Sequence, residues 1–173
     1  MYTLRFDGLY RNRWIASPAH ETGLMCYGWL IYRHGVLIAR GHGGMFRGDE
    51  ASSNTAEYLA LIEGLSALRD LGVVHESIQA VGDSKSVIEQ MSGSAGVNSA
   101  RVKPLHSRAV NLSRRFSHLH WLWEPRKRNH AADELTRRAL KQIKLGLSLG
   151  IQPAEPDLDV RLFFAAKPAR IHA

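Results

Sequence analysis

Four acids sit where a chain's chemistry is usually placed: Asp7, Glu57, Asp83 and Asp133. Asp7 ends a short alternating stretch, Thr3 to Gly8, in which Leu4 and Phe6 share one face. Glu57 opens a helical stripe, Asp83 follows the apolar run Ile78–Val81, and Asp133 opens the last helical segment. Four carboxylates cannot share a site while ionised unless cations neutralise them. An all-oxygen donor set suits a hard cation such as Mg²⁺ or Mn²⁺. Two such ions, about 3.5–4 Å apart, would clamp the attacking and leaving oxygens of an in-line phosphoryl displacement. Each acid also has a structural explanation. Glu57 and Asp133 can offset a helix dipole, Asp83 can cap the helix after it, and Asp7-Gly8 can be an ordinary turn. Only their joint placement favours chemistry.

The elements that would position them follow in order. Residues 2–8 read as a strand, and Arg11–Gly23, with Ser17, Pro18 and Gly23, as a loop. Met25–Arg33 and Val36–Gly44 form a hairpin across His34-Gly35, with Gly41, Gly43 and Gly44 weakening its second arm. A helix begins at Asn54 as N-cap, with Glu57 at the spacing of a capping box. Its apolar stripe is Tyr58, Leu61, Ile62, Leu65 and Leu68, and Gly72 closes it. A strand at 78–81, a short helix at 84–91 and a Ser/Gly-rich connection come next. Then follow a basic helix at 104–116, a strand at 118–123, a basic loop at 125–129 and a helix at 132–147. Trp121 and Trp123 share a face of their strand and read as core.

This order predicts an α/β fold: a mixed five-stranded sheet, three antiparallel strands then two parallel, with helices on both faces. The strand after the first crossover lies parallel to the first, and ligands in such sheets sit at the carboxyl ends of parallel strands. Asp7 and Asp83 hold those positions. Residues 1–147 read as the catalytic domain and 148–173 as a tail or extension.

A net charge of +7 and a pI near 9.9 point to a polyanionic partner, nucleic acid before membrane. The single Cys26 lies in an apolar run and reads as core, in a reducing compartment. With no signal-peptide pattern and no long apolar segment, the expected location is cytoplasmic, away from membranes.

The motifs resemble those of type 1 ribonuclease H. The matching pieces are Phe6-Asp7-Gly8, Gly28, Asn54-Thr55-Ala56-Glu57, Gly82-Asp83-Ser84 and Asn129-His130-Ala131-Ala132-Asp133, in family order over residues 1–145. The resemblance implies a ribonuclease H-like fold and a catalytic quartet of Asp7, Glu57, Asp83 and Asp133 holding two Mg²⁺ ions, with Mn²⁺ as the alternative metal. It implies an endonuclease that hydrolyses the RNA strand of RNA–DNA hybrids, leaving 5′-phosphate and 3′-hydroxyl ends, with Asp7 bridging both ions. Substrate contacts would come from Gly8, Ser53, Asn54, Ser84, Arg126, Lys127, Arg128 and Asn129. Two alternatives stand beside it: a catalytically weak nucleic-acid-binding module of the same fold, or a related metal-dependent DNA nuclease.

The chain departs from the family in two places. The loop before Asn129 reads Glu124-Pro125-Arg126-Lys127-Arg128, without the His many relatives carry, and only His130 could substitute by swinging inward. The turn after Asp7 is Leu9-Tyr10-Arg11-Asn12-Arg13 rather than glycine-rich. In the tail, Asp159–Phe163 loosely resembles a sliding-clamp-binding peptide, so 158–164 is a candidate for a weak clamp-type or self contact.

Overall fold

The structure is a computed structural model that describes residues 1–17, 20–47, 51–148 and 161–165. Its order is β1 (Tyr2–Ser17), β2 (His20–Arg33), β3 (Val36–Arg47), α1 (Ser53–Asp70), β4 (Ser77–Gly82), α2 (Lys85–Ser92), α3 (Lys103–Ser113), β5 (His118–Trp123), α4 (His130–Ser148) and β6 (Arg161–Ala165). A single 3₁₀ turn, Arg126–Arg128, separates β5 from α4.

The sheet runs β5-β4-β1-β2-β3-β6. β1, β2 and β3 are antiparallel neighbours, while β4 lies parallel to β1 and β5 parallel to β4. This is the expected mixed sheet, extended by one strand: β6 pairs antiparallel with β3, from Gly41↔Ala165 to Met45↔Arg161. Residues 158–160 of the tail segment lie outside the described residues.

Side chains alternate between the two faces of β1. Leu4 and Phe6 are fully buried in the main core, beneath α1. All five residues of the α1 stripe, Tyr58, Leu61, Ile62, Leu65 and Leu68, are fully buried there as well. On the other face α4 covers β2 through two smaller clusters, Leu24, Cys26, Ala139 and Ile143, and Leu30, Ala132 and Leu135. Burial pushes the Cys26 thiol up to about 12, against a smaller opposing pull from Arg11, so it is a core residue.

Three expectations need correction. The segment Arg11–Gly23 is not a loop: β1 and β2 stay paired through Tyr10↔Met25, Arg11↔Leu24 and on to Ser17↔His20, with a register shift between Arg11 and Trp14. Cross-strand hydrogen bonding carries the ladder past residues whose local preference is irregular. β3 likewise runs through its glycines, because they make room. A Cβ at Gly41 would lie 2.4 Å from the Trp29 ring, and one at Gly44 would lie 2.5 Å from Ile143 Cδ1. Trp123 is exposed rather than core, since β5 is the outer strand; its indole Nε1–H donates to the Asp83 carbonyl at 2.9 Å, while Trp121 packs partly against the core. The His34-Gly35 turn is as expected, with φ of 49° and 80°, the left-handed pair that a tight hairpin needs. Among the described residues no helix is long and apolar enough to cross a membrane.

Candidate active site

α1 is started by Ser52, not Asn54. The Ser52 hydroxyl accepts from the Thr55 amide at 3.2 Å and the Thr55 hydroxyl accepts from the Ser52 amide at 2.7 Å. This is a complete capping box two residues earlier than expected. Glu57 is therefore relieved of capping, and it lies beyond the opening turn in which the helix dipole is felt most. Ser84 is the N-cap of α2 but makes no side-chain capping bond, and Asp83 stands one residue outside the cap. The structural explanations for these two acids lose their footing.

Glycine brings the helices to the strands. A Cβ on Gly8 would lie 2.3 Å from the Glu57 amide nitrogen, so only glycine lets α1 lie this close to β1. The Gly8 amide hydrogen-bonds the Glu57 carboxyl. On the other face a Cβ on Gly28, the β2 partner of Asp7, would lie 2.6 Å from Leu135 Cβ and 2.8 Å from the Ala132 carbonyl oxygen. That close approach seats the first turns of α4 beside Asp7.

Asp7, Glu57 and Asp83 each offer a carboxylate oxygen, and the three lie within 4.8 Å of one another. Asp7 and Glu57 are buried and Asp83 is half-buried. Burial, then the charge of Asp83, pushes the Asp7 carboxyl up to about 7. Burial and then the charges of Asp7 and Asp83 raise Glu57 well above the usual carboxylate range. Asp83 is raised chiefly by burial. Glu57 Oε2 and Asp83 Oδ2 are buried with no hydrogen-bond partner. Unpaired buried carboxylate oxygens are costly, and an oxygen-only cluster containing two of them fits a hard divalent cation.

Asp133 stands apart from that trio. Burial alone would raise it, but hydrogen bonds from Arg137 and Arg126 outweigh burial and hold its carboxyl below the usual range. Arg137 Nε donates to Oδ2 at 2.7 Å, and Arg126 Nη2 bonds Oδ1. The charge of Arg126 also reaches Asp7, Glu57 and Asp83 and lowers each. Thr136 links the two groups: its hydroxyl lies 3.1 Å from Asp7 Oδ2 and 2.8 Å from the Asp133 carbonyl oxygen, a single proton shared between two acceptors.

The remaining expected residues divide by exposure. Ser53 and Asn54 are exposed on the first turn of α1, Ser84 is half-buried next to Asp83, and Arg126, Lys127 and Arg128 are exposed in the 3₁₀ turn. Asn129 is fully buried; its amide donates to the Phe6 carbonyl at 2.8 Å and its backbone carbonyl accepts from Asp133. His130 is exposed, and its Nδ1 lies 3.7 Å from Glu134 Oε1. The place before α4 is taken by Arg126 instead.

Three contributors escape sequence reading. Thr136 and Arg137 stand three and four residues after Asp133, the helical spacing at which side chains meet, and that spacing is the signal that could have found them. Arg5 pins the turn from beneath, donating to Glu124 at 2.9 Å and to the Arg128 carbonyl at 3.1 Å. No local pattern announces that contact.

Comparison with known proteins adds a family. A family profile described as reverse transcriptase-like matches residues 27–139, more than half of the chain, beginning after Asp7. A bifunctional protein of Mycobacterium tuberculosis is 31% identical over 131 residues, which are 75% of this chain but 35% of that protein. A ribonuclease HI of Halobacterium salinarum is 34% identical over 136 residues, 78% of this chain and 62% of that protein. The chain thus spans about a third of the length of the first relative and under two thirds of the second. The crystal structure of ribonuclease H1 from Halobacterium salinarum superposes with a TM-score of 0.70 at 30% identity, over 82% of this chain and 98% of that one.

Proposed function

The chain belongs to the reverse transcriptase-like family, in its type 1 ribonuclease H branch, and we propose that it is an endonuclease hydrolysing the RNA strand of RNA–DNA hybrids. The observation that carries this reading is the cluster of Asp7, Glu57 and Asp83 with two partnerless buried oxygens. An inert binding module gains nothing from such a cluster. Our reading assigns Asp7, Glu57 and Asp83 to the metal ions, two Mg²⁺ with Mn²⁺ as substitute, and Asp133 as the fourth acid. Bound there, divalent cations supply Lewis acidity that lowers the pKa of a water and takes up charge on the leaving oxygen.

The chain's own residues do the rest of the work we propose. Gly8 orients Glu57 through its amide, and Thr136 orients Asp7 through its hydroxyl. Arg126 and Arg137 keep Asp133 ionised at neutral pH. Arg126, Lys127 and Arg128 meet phosphates of the hybrid, and Ser53, Asn54 and Ser84 meet sugars or bases in the wide minor groove. Gly8 admits the strand backbone nearby, and Asn129 holds the turn in place. The products in this reading carry 5′-phosphate and 3′-hydroxyl ends. We take residues 1–147 as the catalytic unit and 148–173 as an extension. For 158–164 we favour a contact within the chain over a clamp-type partner.

The test is cleavage of labelled RNA–DNA hybrid, double-stranded RNA and double-stranded DNA, with Mg²⁺, Mn²⁺ or chelator, beside Asp7→Asn. Hybrid cleaved only with metal, and not by Asp7→Asn, is the expected result. A hybrid that survives both metals sinks the enzyme reading.

A further inference from the structure

α1 and α3 pack side by side, and their outer surfaces enclose a groove of about 450 Å³. Ser66 and Arg69 of α1 and Ser107, Arg108, Asn111 and Arg115 on the α3 side line it. Its charge is one-sided. From Gln90 to Trp123 the chain contains no Asp or Glu, and Arg108 and Arg115 have no acidic partner among the described residues. Only Arg69 is engaged, by its neighbour Asp70 at 2.8 Å on the exposed surface, where such a pair is worth little. Ser66, Ser107 and Asn111 add neutral donors whose side chains make no hydrogen bond among the described residues.

The spacing suits a linear polyanion. Ser107 and Asn111 stand one turn apart on α3, about 6 Å along it, and Arg115 follows just past the helix end at Ser113, so the three line the same groove in sequence. One nucleic-acid strand presents a phosphate about every 3.4 Å of axis, so this lining is long enough to meet more than one of them. Guanidinium forks beside hydroxyl and amide donors are the set that phosphodiester oxygens accept.

The groove is separate from the acids. Ser66 and Arg69 lie nine and twelve residues after Glu57 on α1, about 14 and 18 Å along its axis. It also excludes the 126–128 turn, which belongs to the α4 side of the molecule.

We propose that the α1–α3 groove is a second phosphate-binding track, holding the nucleic acid beyond the segment being cleaved. This rests on the nucleic-acid substrate of the preceding section and adds a site that section does not use. The track raises affinity and sets the length of duplex engaged, and leaves the chemical step untouched.

The test is binding of a long hybrid and of duplex DNA to the whole chain in chelator, followed across a salt series. The variants are Arg108→Ala/Arg115→Ala and, as a charge-matched control at exposed positions elsewhere, Arg40→Ala/Lys141→Ala. Each lost phosphate contact flattens the slope of log K against log salt by about 0.9, so the groove variant should lose about two in slope and roughly tenfold or more in affinity. The control should keep the wild-type slope, and single-turnover cleavage at saturating enzyme should be unchanged in the groove variant. An unchanged slope, or an equal loss in the control, overturns the proposal. So does poly-glutamate competing as well as nucleic acid, which would mark the groove as a site for an acidic protein. Because binding is read in chelator, a slope change without any cleavage keeps the groove and removes the enzyme reading, and cleavage without a slope change does the reverse.

Discussion

The side-chain amide of Asn129 donates to the backbone carbonyl of Phe6 at 2.8 Å, across 123 residues of sequence. The residue that leads into α4 is thereby tied to the residue that leads into Asp7. Asn129→Ala leaves the Phe6 carbonyl buried without a partner, at a cost of about 1–3 kcal/mol. Denaturant unfolding should show that loss. Hybrid cleavage should fall further than the small unfolded fraction explains, because Asp133 loses its fixed distance from Asp7. Equal activity per folded molecule would show that this bond is only structural.

Glycine contacts predict a graded series in stability. Gly8→Ala and Gly28→Ala force α1 and α4 away from the sheet, and overpacking of this kind costs about 1–3 kcal/mol. Gly146→Ala, in α4 with nothing near its missing Cβ, should instead stabilise by about 0.5–1 kcal/mol. Thermal unfolding of the three variants orders them. A neutral Gly8→Ala would mean that α1 does not rest on β1 as described.

The acid cluster should make the metal-free protein lose stability as pH rises. Asp7 has its carboxyl raised to about 7, and Glu57 and Asp83 are raised too. A raised acid binds more protons folded than unfolded, so stability falls between its unfolded value, near 4, and its folded one. Melting temperature in chelator should drop from about pH 5 to about pH 8, and Mg²⁺ should restore more of it at the higher pH. Asp7→Asn should flatten the pH dependence and blunt the response to Mg²⁺. A melting temperature indifferent to both pH and Mg²⁺ would contradict the cluster.

Arg126 is exposed yet bonds Asp133 and lowers the three clustered acids by charge. Arg126→Ala should therefore raise the carboxyl values of Asp7 and Asp133 in a carbon-detected titration. It should also move the acidic limb of the cleavage profile to higher pH, while Arg126→Lys should recover part of the shift. Identical profiles for all three proteins would make Arg126 a substrate contact and nothing more.

Much of this was legible in the sequence where the signal is local. The α1 stripe, the His34-Gly35 turn and the limits of β5 follow from periodicity and turn chemistry, since burial on one face and positive φ are written into neighbouring residues. The β1–β2 extension past Arg11 was not, because its hydrogen bonds come from a partner strand and override local preference. Ser52 lost to Asn54 as the expected cap because both types cap well, and only the reciprocal bond with Thr55 decides. The acids were found by their positions at element ends. Of their braces, Thr136 and Arg137 had a helical spacing from Asp133 that could have announced them, whereas the contact of Arg5 with Glu124 spans 119 residues and leaves no local trace.

The Ser52–Thr55 box has a bearing on how this chain can change over time. It anchors the start of α1 with side chains that precede Glu57 and do not join the acid cluster. Mutations that tune the box should be tolerated for catalysis so long as the helix stays put, and mutations at Glu57 should be tolerated for folding. Anchorage and chemistry occupy different residues of the same short stretch, Ser52 to Glu57, so variation can act on one while the other is held fixed.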